Sequence, residues 1–323
     1  MNPTASDVHY NVPLTNISIA YLRDVGGIAD SVFPNIPVTN QSNVYWKYNR
    51  DDWNRIEAQE RAPGTESVGS GWRMSTDTYY ARVYAFHKDV DDQTRANQDN
   101  QFNLDRDAAT FVTRNLNLKK EKLWVDTFFR TGVWGTEYAG VAAAPGAGQF
   151  LRWDNDASTP IEDILTWMLT MEQATGGWRP NVLVIGPQVE LALLKHPDFL
   201  DRIKYTQTGV LTMQLVASML GVDRVLVPRV VYNTANEGAT ETNTFMYGKA
   251  MLLCYSNPNP SPLTPSAGYT FSWTGYLGAG AMGNRISSFR MPAIKSDRIE
   301  GEMAFDQKLV AADLGIFLSA AVS

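Results

Sequence analysis

The chain has 323 residues, a formal net charge of −6, one cysteine, 44% hydrophobic residues and only 19% charged residues. A single cysteine excludes a disulfide scaffold, and a pI near 5.2 has the wrong sign for a basic nucleic-acid-binding domain. The length allows one large domain or two ordinary ones, and intrinsic disorder would need the opposite composition. Few charges together with 9 Trp and 14 Tyr indicate surface that is covered in protein interfaces.

Targeting and membrane signals are missing from the sequence. The first residues lack the basic stretch and apolar core of a secretory signal, and no window holds the roughly 18 apolar residues of a membrane helix. We therefore expect a soluble protein that folds in a reducing, intracellular compartment.

Two segments in the first quarter, 44–48 and 79–86, have the aromatic and β-branched composition of strands. The polar, glycine-bearing segment 55–71 between them predicts the charged tip of a long two-stranded arm. An isolated hairpin is marginal in water, and this tip has little apolar surface to pack on itself. We therefore expect the arm to lie on another surface, either its own body or another subunit.

A long helix is predicted next. Residues 72–131 contain no Gly or Pro, and Asp89, Asp91 and Asp92 have the charge that favours a helix N-terminus. Apolar positions with helical spacing continue to about Arg130, so the helix would hold some 38 residues and span roughly 57 Å. The Gly- and Ala-rich segment 132–148 is interpreted as a linker or turn region.

Residues 149–256 predict an α/β unit. Thr159 to Glu162 has the pattern of a capping box with proline at the first helical position, and Gly176 and Gly177 end that helix. The elements predicted after it are a buried strand at 181–185, helices at 187–195 and 211–220, a strand at 224–231 and further strands within 245–255.

The last part of the chain predicts antiparallel strands. Four prolines exclude a helix over 257–265, and alternating runs follow at 269–273, 285–289, 296–305 and 308–318. The apolar segment 314–322 should be buried in a sheet, because it would otherwise promote aggregation.

A search for catalytic chemistry finds no enzyme signature. His9, His87 and His196 have no further His or Cys at ligand spacing, so no zinc site is predicted. His196 is interpreted as a cation at a helix C-terminus, and Cys254 as a buried structural thiol.

Three further patterns have ordinary structural interpretations. Residues 278–283 match the dinucleotide pattern GxGxxG, but a predicted strand follows it, which indicates a tight loop instead. Asp89, Asp91 and Asp92 could ligate Mg²⁺ or Ca²⁺, yet no full loop of oxygen ligands follows, so dipole complementarity is preferred. The cluster 119–122 (KKEK) is interpreted as a solvated helix face. We predict no catalytic residue, no cofactor and no metal.

The order of these elements resembles that of the major capsid proteins of tailed bacteriophages, which have the HK97-like fold. Local stretches support the resemblance over nearly the whole chain: 32–38 (VFPNIPV), 181–186 (NVLVIG), 193–197 (LLKHP), 220–225 (LGVDRV) and 247–253 (YGKAMLL). The resemblance implies an α+β fold in four parts. These are an N-terminal arm (1–38), an extended β-hairpin or E-loop (39–88), a peripheral domain with a spine helix and antiparallel strands (89–148 and 266–323), and an α/β axial domain (149–265).

The resemblance also implies a function. The subunit would assemble with itself as pentamers and hexamers into an icosahedral head, formed in the bacterial host cytoplasm, that encloses double-stranded DNA without sequence-specific binding. A portal, a separate scaffolding protein and decoration proteins are the expected partners, since the first residues lack a long helical scaffolding segment. We expect Arg55, Glu57, Glu60 and Arg61 at the arm tip to form salt bridges between subunits; the alternative is that they are solvated loop charges.

Three alternatives stay open at this point. An encapsulin-like compartment would share the fold but hold a cargo protein. A soluble α/β enzyme is disfavoured by the scarcity of His and the lack of a nucleophile constellation. A non-capsid virion protein fits the interface composition but not the element order.

Overall fold

The computed structural model describes residues 26–48, 52, 54–97, 103–204, 211–261, 264–277 and 284–323. The helices are α1 (Ala29–Val32), α2 (Asp92–Ala96), α3 (Leu104–Phe128), α4 (Pro160–Thr175), α5 (Pro187–Lys195), α6 (Pro197–Ile203), α7 (Met213–Leu220) and α8 (Thr274–Leu277). The strands are β1 (Asn35–Val38), β2 (Ser42–Tyr48), β3 (Met74–Tyr80), β4 (Arg82–Asp91), β5 (Thr136–Val141), β6 (Gln149–Leu151), β7 (Val182–Ile185), β8 (Arg224–Leu226), β9 (Val231–Asn233), β10 (Asn243–Phe245), β11 (Met251–Cys254), β12 (Gly268–Trp273), β13 (Asn284–Met291), β14 (Ser296–Leu309) and β15 (Gly315–Ser319).

A five-stranded sheet is built around the long strand β14. Its order is β1-β12-β14-β13, and β4 pairs with β14 in antiparallel register from Ser296↔Asp91 to Phe305↔Arg82. Helix α3 packs on this sheet, where Val112 and Leu116 meet Met303 and Phe305. Gly301 allows this close packing, because a Cβ there would lie 2.6 Å from Val112 Cγ1. The spine helix and the sheet together form one layered body.

A six-stranded mixed sheet holds the largest core. Its order is β6-β5-β15-β11-β7-β8, and every residue of β7 and β11 is buried. Helix α4 covers it with a buried stripe that includes Ile161, Ile164, Met168 and Met171, as its apolar spacing predicts. The C-terminal strand β15 is almost wholly buried between β5 and β11, which confirms the prediction for the apolar tail.

Several predicted boundaries are confirmed. The helix that starts at Pro160 ends with Gly176 in the left-handed conformation (φ 76°), the helix over 187–195 has the predicted bounds, and β7 lies within 181–185. The capping box is wrong, since the Thr159 side chain makes no capping hydrogen bond. The predicted strand 224–231 is also wrong. It is two short strands, β8 in the six-stranded sheet and β9 in a separate two-stranded sheet with β10.

The start of the long helix was predicted wrongly. Residues 89–91 continue β4, α2 has only five residues, and the spine helix α3 runs for 25 residues from Leu104, about 37 Å. The reason is long-range: β14 supplies strand partners for this segment, and Asp89 binds Arg298 at 2.7 Å. Residues 98–102 lie outside the described part of the chain.

The predicted linker 132–148 contains a strand. Residues Thr136–Val141 form β5, which pairs in parallel with β15 and with β6. Gly140 is required by packing rather than by a turn, because a Cβ there would lie 2.1 Å from the Ala320 carbonyl oxygen. The glycines of segment 132–148 therefore led to the wrong prediction of a linker where a strand is present.

Candidate inter-subunit surface

The hairpin formed by β2 and β3 has a well-packed root. The two strands pair in antiparallel register from Ser42↔Tyr80 to Tyr48↔Met74, so the arm is two-stranded as predicted. Its second strand is not the predicted 79–86, because most of that segment belongs to β4, which pairs with β14. On one face, Tyr45 and Tyr79 are buried against Phe271 of β12, with ring centroids 5.4 and 4.6 Å away. The Tyr80 N–H donates to Asp306 Oδ2 at 2.9 Å. These contacts fix the hairpin to the five-stranded sheet.

Charged groups on the same face of the hairpin reinforce the root. Asp77 Oδ2 accepts from Tyr45 Oη at 2.9 Å and lies 2.8 Å from Lys47 Nζ. Burial alone would raise the pKa of Asp77, but bonds from Lys47, the Thr78 N–H and Tyr45 together lower that pKa to about 2. The pKa of Tyr45 is raised, mainly by burial and next by the hydrogen bond to Asp77. Asp77 is therefore held as a carboxylate.

The opposite face of the hairpin carries large apolar side chains that are uncovered. Side chains alternate between faces along a strand, so Val44 and Trp46 of β2 share this face with Met74 and Tyr80 of β3. All four are about half exposed, Trp46 at 55%. Large apolar side chains that line one face of a two-stranded element without a covering layer indicate a surface that another protein covers.

The segment that joins the two strands is exposed along its length. Residues 55–73 form no helix or strand, and Ile56 is 99% exposed, with Val68 and Trp72 also well exposed. The ends of the segment are held together, because Asp52 accepts from the N–H and guanidinium of Arg73 at 2.9–3.2 Å. These hydrogen bonds lower the pKa of Asp52. The opposite charges at positions 52 and 73 could have indicated from the sequence that the two ends of the segment are paired, but no such pairing was predicted.

The four predicted contact residues all lie on this exposed segment. Arg55 is 3.9 Å from Asp52 Oδ1 and 3.9 Å from Glu57 Oε1, and Arg61 donates to the Thr65 carbonyl. Glu60 is exposed. The structure thus places all four residues on the exposed segment, and whether they bind a second subunit stays a prediction.

The acidic cluster that was considered for a metal binds arginines instead. Asp89 pairs with Arg298, Asp92 pairs with Arg290, and Asp91 caps α2 by accepting the Thr94 N–H at 2.7 Å. The arginine bonds lower the pKa of Asp89 and Asp92. Among the described residues no group of three or more His, Cys, Asp or Glu is arranged to hold a metal ion.

Cys254 and His196 are buried structural residues. Burial raises the pKa of the Cys254 thiol to about 12, which confirms its interpretation as a structural thiol. The interpretation of His196 as a helix-dipole cation is wrong. Its Nδ1 accepts the Asp198 N–H at 3.1 Å and so caps α6, and its Nε2 lies 2.9 Å from Ser158 Oγ. His9 and residues 278–283 lie outside the described ranges, while His87 lies on β4.

The lysine cluster at 119–122 is solvated only in part, since Lys119 is exposed but the residues after it are not. Lys120 and Glu121 are both buried, and Lys120 Nζ donates to Asp30 Oδ2 at 2.8 Å. Glu121 accepts the N–H groups of Ile28 and Ala29 at 2.8 and 3.1 Å, and it also accepts from Tyr247 Oη. Burial raises the pKa of Glu121. The spine helix thereby holds the start of α1 with a buried carboxylate whose partners are distant in sequence.

Within the described ranges, no helix combines the length and apolar character needed to cross a bilayer.

These elements define the fold class. An extended hairpin, a spine helix lying on a sheet around one long strand, and an α/β unit form an α+β protein with the HK97-like fold, as predicted.

Comparison with curated proteins gives two relatives of nearly the same length. The major capsid protein of Burkholderia phage BcepMu is 24% identical over 95% of this chain and 94% of its own, and the major capsid protein of Pseudomonas phage JBD67 is 24% identical over 96% of both. No protein-family model matches the chain. The predicted resemblance to phage major capsid proteins is confirmed.

Solved structures with the same fold come from phages and from protein compartments. A phage-related protein from Bordetella bronchiseptica RB50 is 19% identical with a TM-score of 0.72, covering 97% of this chain and 98% of that one. The capsid protein of Cyanophage P-SCSP1u has a TM-score of 0.55 at 13% identity, covering 88% and 86%. The SrpI encapsulin of Synechococcus elongatus has a TM-score of 0.53 at 11% identity, covering 99% and 92%.

Proposed function

We propose that this chain is the major capsid protein of a tailed bacteriophage, and that it assembles with itself into the icosahedral head that encloses a double-stranded DNA genome. Two relatives named major capsid protein align over nearly the whole chain, and the fold is HK97-like. Its role is structural and not enzymatic. Its place is the virion, after assembly in the bacterial host cytoplasm.

The uncovered hairpin is the observation that supports self-assembly most directly. Its root is packed into the subunit, while Val44, Trp46, Met74 and the tip residue Ile56 project without a covering layer. Burying such side chains contributes about 25 cal/mol per Å² of apolar surface. A neighbouring subunit in a pentamer or hexamer supplies the missing surface. Each such interface can be weak, because closure of a shell combines many of them.

The four sequence-based segments have distinct roles in this proposal. Residues 1–38 act as the N-terminal arm and 39–88 as the E-loop that crosses a neighbour. Residues 89–148 and 266–323 form the peripheral domain, and 149–265 form the axial domain at the capsomer centres. The sheet topology adds that β15, from the last segment, pairs with β11 of the axial unit.

The charged tip residues set the register between subunits. Arg55, Glu57, Glu60 and Arg61 are proposed to exchange salt bridges with a neighbour, since they lie on the exposed segment and the Arg55–Glu57 pair is as far apart as 3.9 Å. Exposed pairs contribute about 0–1 kcal/mol each, so their role is to orient the contact.

The net charge bears on the enclosed genome. Strong DNA binding requires many phosphate contacts from Lys and Arg, and a chain of charge −6 does not favour them. The shell therefore confines DNA without sequence-specific binding. A portal, a separate scaffolding protein and decoration proteins are the further partners that such a head would use.

The second candidate is an encapsulin-like compartment, which the likeness to the Synechococcus encapsulin favours. Gene context separates the two candidates. A terminase or portal gene beside this gene is expected for a phage head, and a cargo-protein gene in that place would contradict it.

Negative-stain electron microscopy of the expressed protein tests the proposed function. We expect icosahedral particles or capsomers, together with a high-molecular-mass peak on size exclusion. A folded monomer that forms no particles over a range of salt and protein concentrations would contradict assembly.

A further inference from the structure

A buried carboxylate joins three parts of the subunit that are far apart in sequence. Glu121 of α3 is 4% exposed and accepts the N–H groups of Ile28 and Ala29 at 2.8 and 3.1 Å. It also accepts the hydroxyl of Tyr247, which lies in the turn between β10 and β11. In the proposed division of the chain, these groups belong to the N-terminal arm, the peripheral domain and the axial domain. One side chain therefore contacts three of the four segments.

The three hydrogen bonds to Glu121 depend on one another. None of the three donors is a cation, and the neighbouring Lys120 donates to Asp30 instead. Burial raises the pKa of Glu121, while the three hydrogen bonds oppose that rise. A buried carboxylate whose donors are all neutral relies on every one of them, because each lost hydrogen bond leaves buried charge without solvation. When one donor withdraws, the carboxylate therefore turns away from the other two.

An aromatic contact runs beside the polar one. The Phe33 ring lies 5.5 Å from the Trp124 ring, and the Trp124 ring lies 6.0 Å from that of Tyr247, measured between centroids. All three side chains are at most 1% exposed. Close-packed interiors transmit displacements, because few voids are present to absorb them. A movement of residues 28–33 therefore reaches Tyr247 through a polar and an apolar contact.

Gly27 shows how closely the arm approaches the carboxylate. A Cβ at this position would lie 2.7 Å from Glu121 Oε2, which is closer than two such atoms normally come. The atom that it would meet is the end of a flexible side chain, so an alanine at position 27 displaces the carboxylate rather than backbone. The arm thus offers a position from which the carboxylate can be moved without a change at Tyr247.

We propose that Glu121 couples the N-terminal arm to the axial domain, so that displacement of residues 28–33 loosens the segment around Tyr247, and the reverse. Coupling between two sites is reciprocal, so either side can be perturbed and the other observed. The coupling itself is a property of the subunit. Its use in the shell rests on the proposed function, in which an arm bound by a neighbouring copy fixes the axial domain at the capsomer centre.

Hydrogen exchange of the expressed protein, measured by mass spectrometry, tests the coupling. Tyr247→Phe removes one donor, so the amides of peptide 26–33 should exchange at least about tenfold faster. Tyr269→Phe is the matched control and should leave that peptide unchanged, because it removes another buried hydroxyl, which bonds the Thr264 carbonyl at 2.9 Å. Circular dichroism and sizing establish that each variant is folded. Equal acceleration in both variants, or none in Tyr247→Phe, would overturn the coupling.

The reverse direction provides an independent measurement. Gly27→Ala should accelerate exchange in peptide 245–250, which contains Tyr247. In the Tyr247→Phe background it should add little, because the hydrogen bond that carries the effect is already missing. A full effect of Gly27→Ala in that background would show that the displacement bypasses Glu121, and the assignment to this residue would be wrong.

Shell formation separates the coupling from the proposed function. Tyr247→Phe should lower the yield of shells several-fold relative to wild type, and Tyr269→Phe should not. Normal yield from Tyr247→Phe, with the coupling present in the subunit, would overturn its use in assembly. A wild-type chain that forms no shells would instead overturn the proposed function, and the exchange measurements alone then decide the coupling.

Discussion

The two ends of the hairpin have opposite surroundings. At the root, Tyr45 and Tyr79 pack against Phe271 and are almost completely buried; at the tip, Ile56 is fully exposed. The tip is mostly polar, but composition alone does not explain why its few large apolar side chains stay uncovered. The difference comes from the five-stranded sheet, which extends beneath the root and ends before the tip. The root therefore stabilises the subunit, whereas the proposed role of the tip is to contribute free energy when a second subunit covers it.

The largest difference in stability between root and tip is expected when the ring beneath the root is removed. Phe271→Ala takes away the ring against which Tyr45 and Tyr79 pack, and a buried Phe→Ala change costs about 3–5 kcal/mol. The free energy of unfolding from urea titration should fall by this amount. Ile56→Ala is the control at the tip, and it should change the free energy of unfolding by no more than about 0.5 kcal/mol. Equal losses for the two variants would show that the tip is packed in the isolated subunit.

An intermediate effect is expected from pH at the root. The pKa of Asp77 is about 2 in the folded chain, against an ordinary value of 3.8. The folded state therefore favours the ionised form of this side chain more than the unfolded state does. Its contribution is present above about pH 3.8 and is lost as the pH falls through about 2. The wild type should therefore lose stability relative to Asp77→Asn between pH 4 and pH 2.

Parallel thermal melts of the two proteins across that pH range provide the measurement. A constant difference in melting temperature would mean that the Lys47–Asp77 pair contributes nothing to the root.

The smallest effect on the subunit, and a clear effect on the shell, is expected at Arg61. This residue is exposed at the tip, so Arg61→Glu should leave the free energy of unfolding within about 0.5 kcal/mol of wild type. It should nevertheless impair assembly, because it reverses a charge proposed to face a neighbour. Arg61→Lys, which keeps the charge, is the control. Normal shells from Arg61→Glu in electron micrographs would mean that these charges are solvated loop charges and make no contact between subunits.

Locally encoded elements could be predicted from the sequence. Pro160 and Gly176 mark the two ends of α4, the run of apolar residues at 182–185 is a buried strand, and β2 shows the aromatic composition of a strand. The arm tip and its charged residues could be predicted for the same reason, because an exposed polar segment between two strands needs no distant partner.

Features with distant partners could not be predicted. From local sequence, Asp89 has the pattern of a first helical turn. In the structure it lies in a strand, where it binds Arg298, 209 positions away. Glu121 resembled a solvated charge, although it binds Ile28 and Tyr247 at separations of 93 and 126 positions. The end of β4–β14 pairing at Arg82 likewise depends on residues far along the chain, and no local pattern predicts it.

The central position of β14 has a consequence for folding kinetics. Strand β4 finds its partner only in the last tenth of the chain, and the Thr270 hydroxyl bonds the Phe33 carbonyl across 237 positions. Topologies dominated by such non-local contacts fold slowly, because loop-closure entropy is lost before the contacts compensate for it. During synthesis β1, β4 and β5 leave the ribosome before their partners exist, with strand edges open to aggregation. The two large sheets can therefore be completed only after the last strands, β14 and β15, have been synthesised.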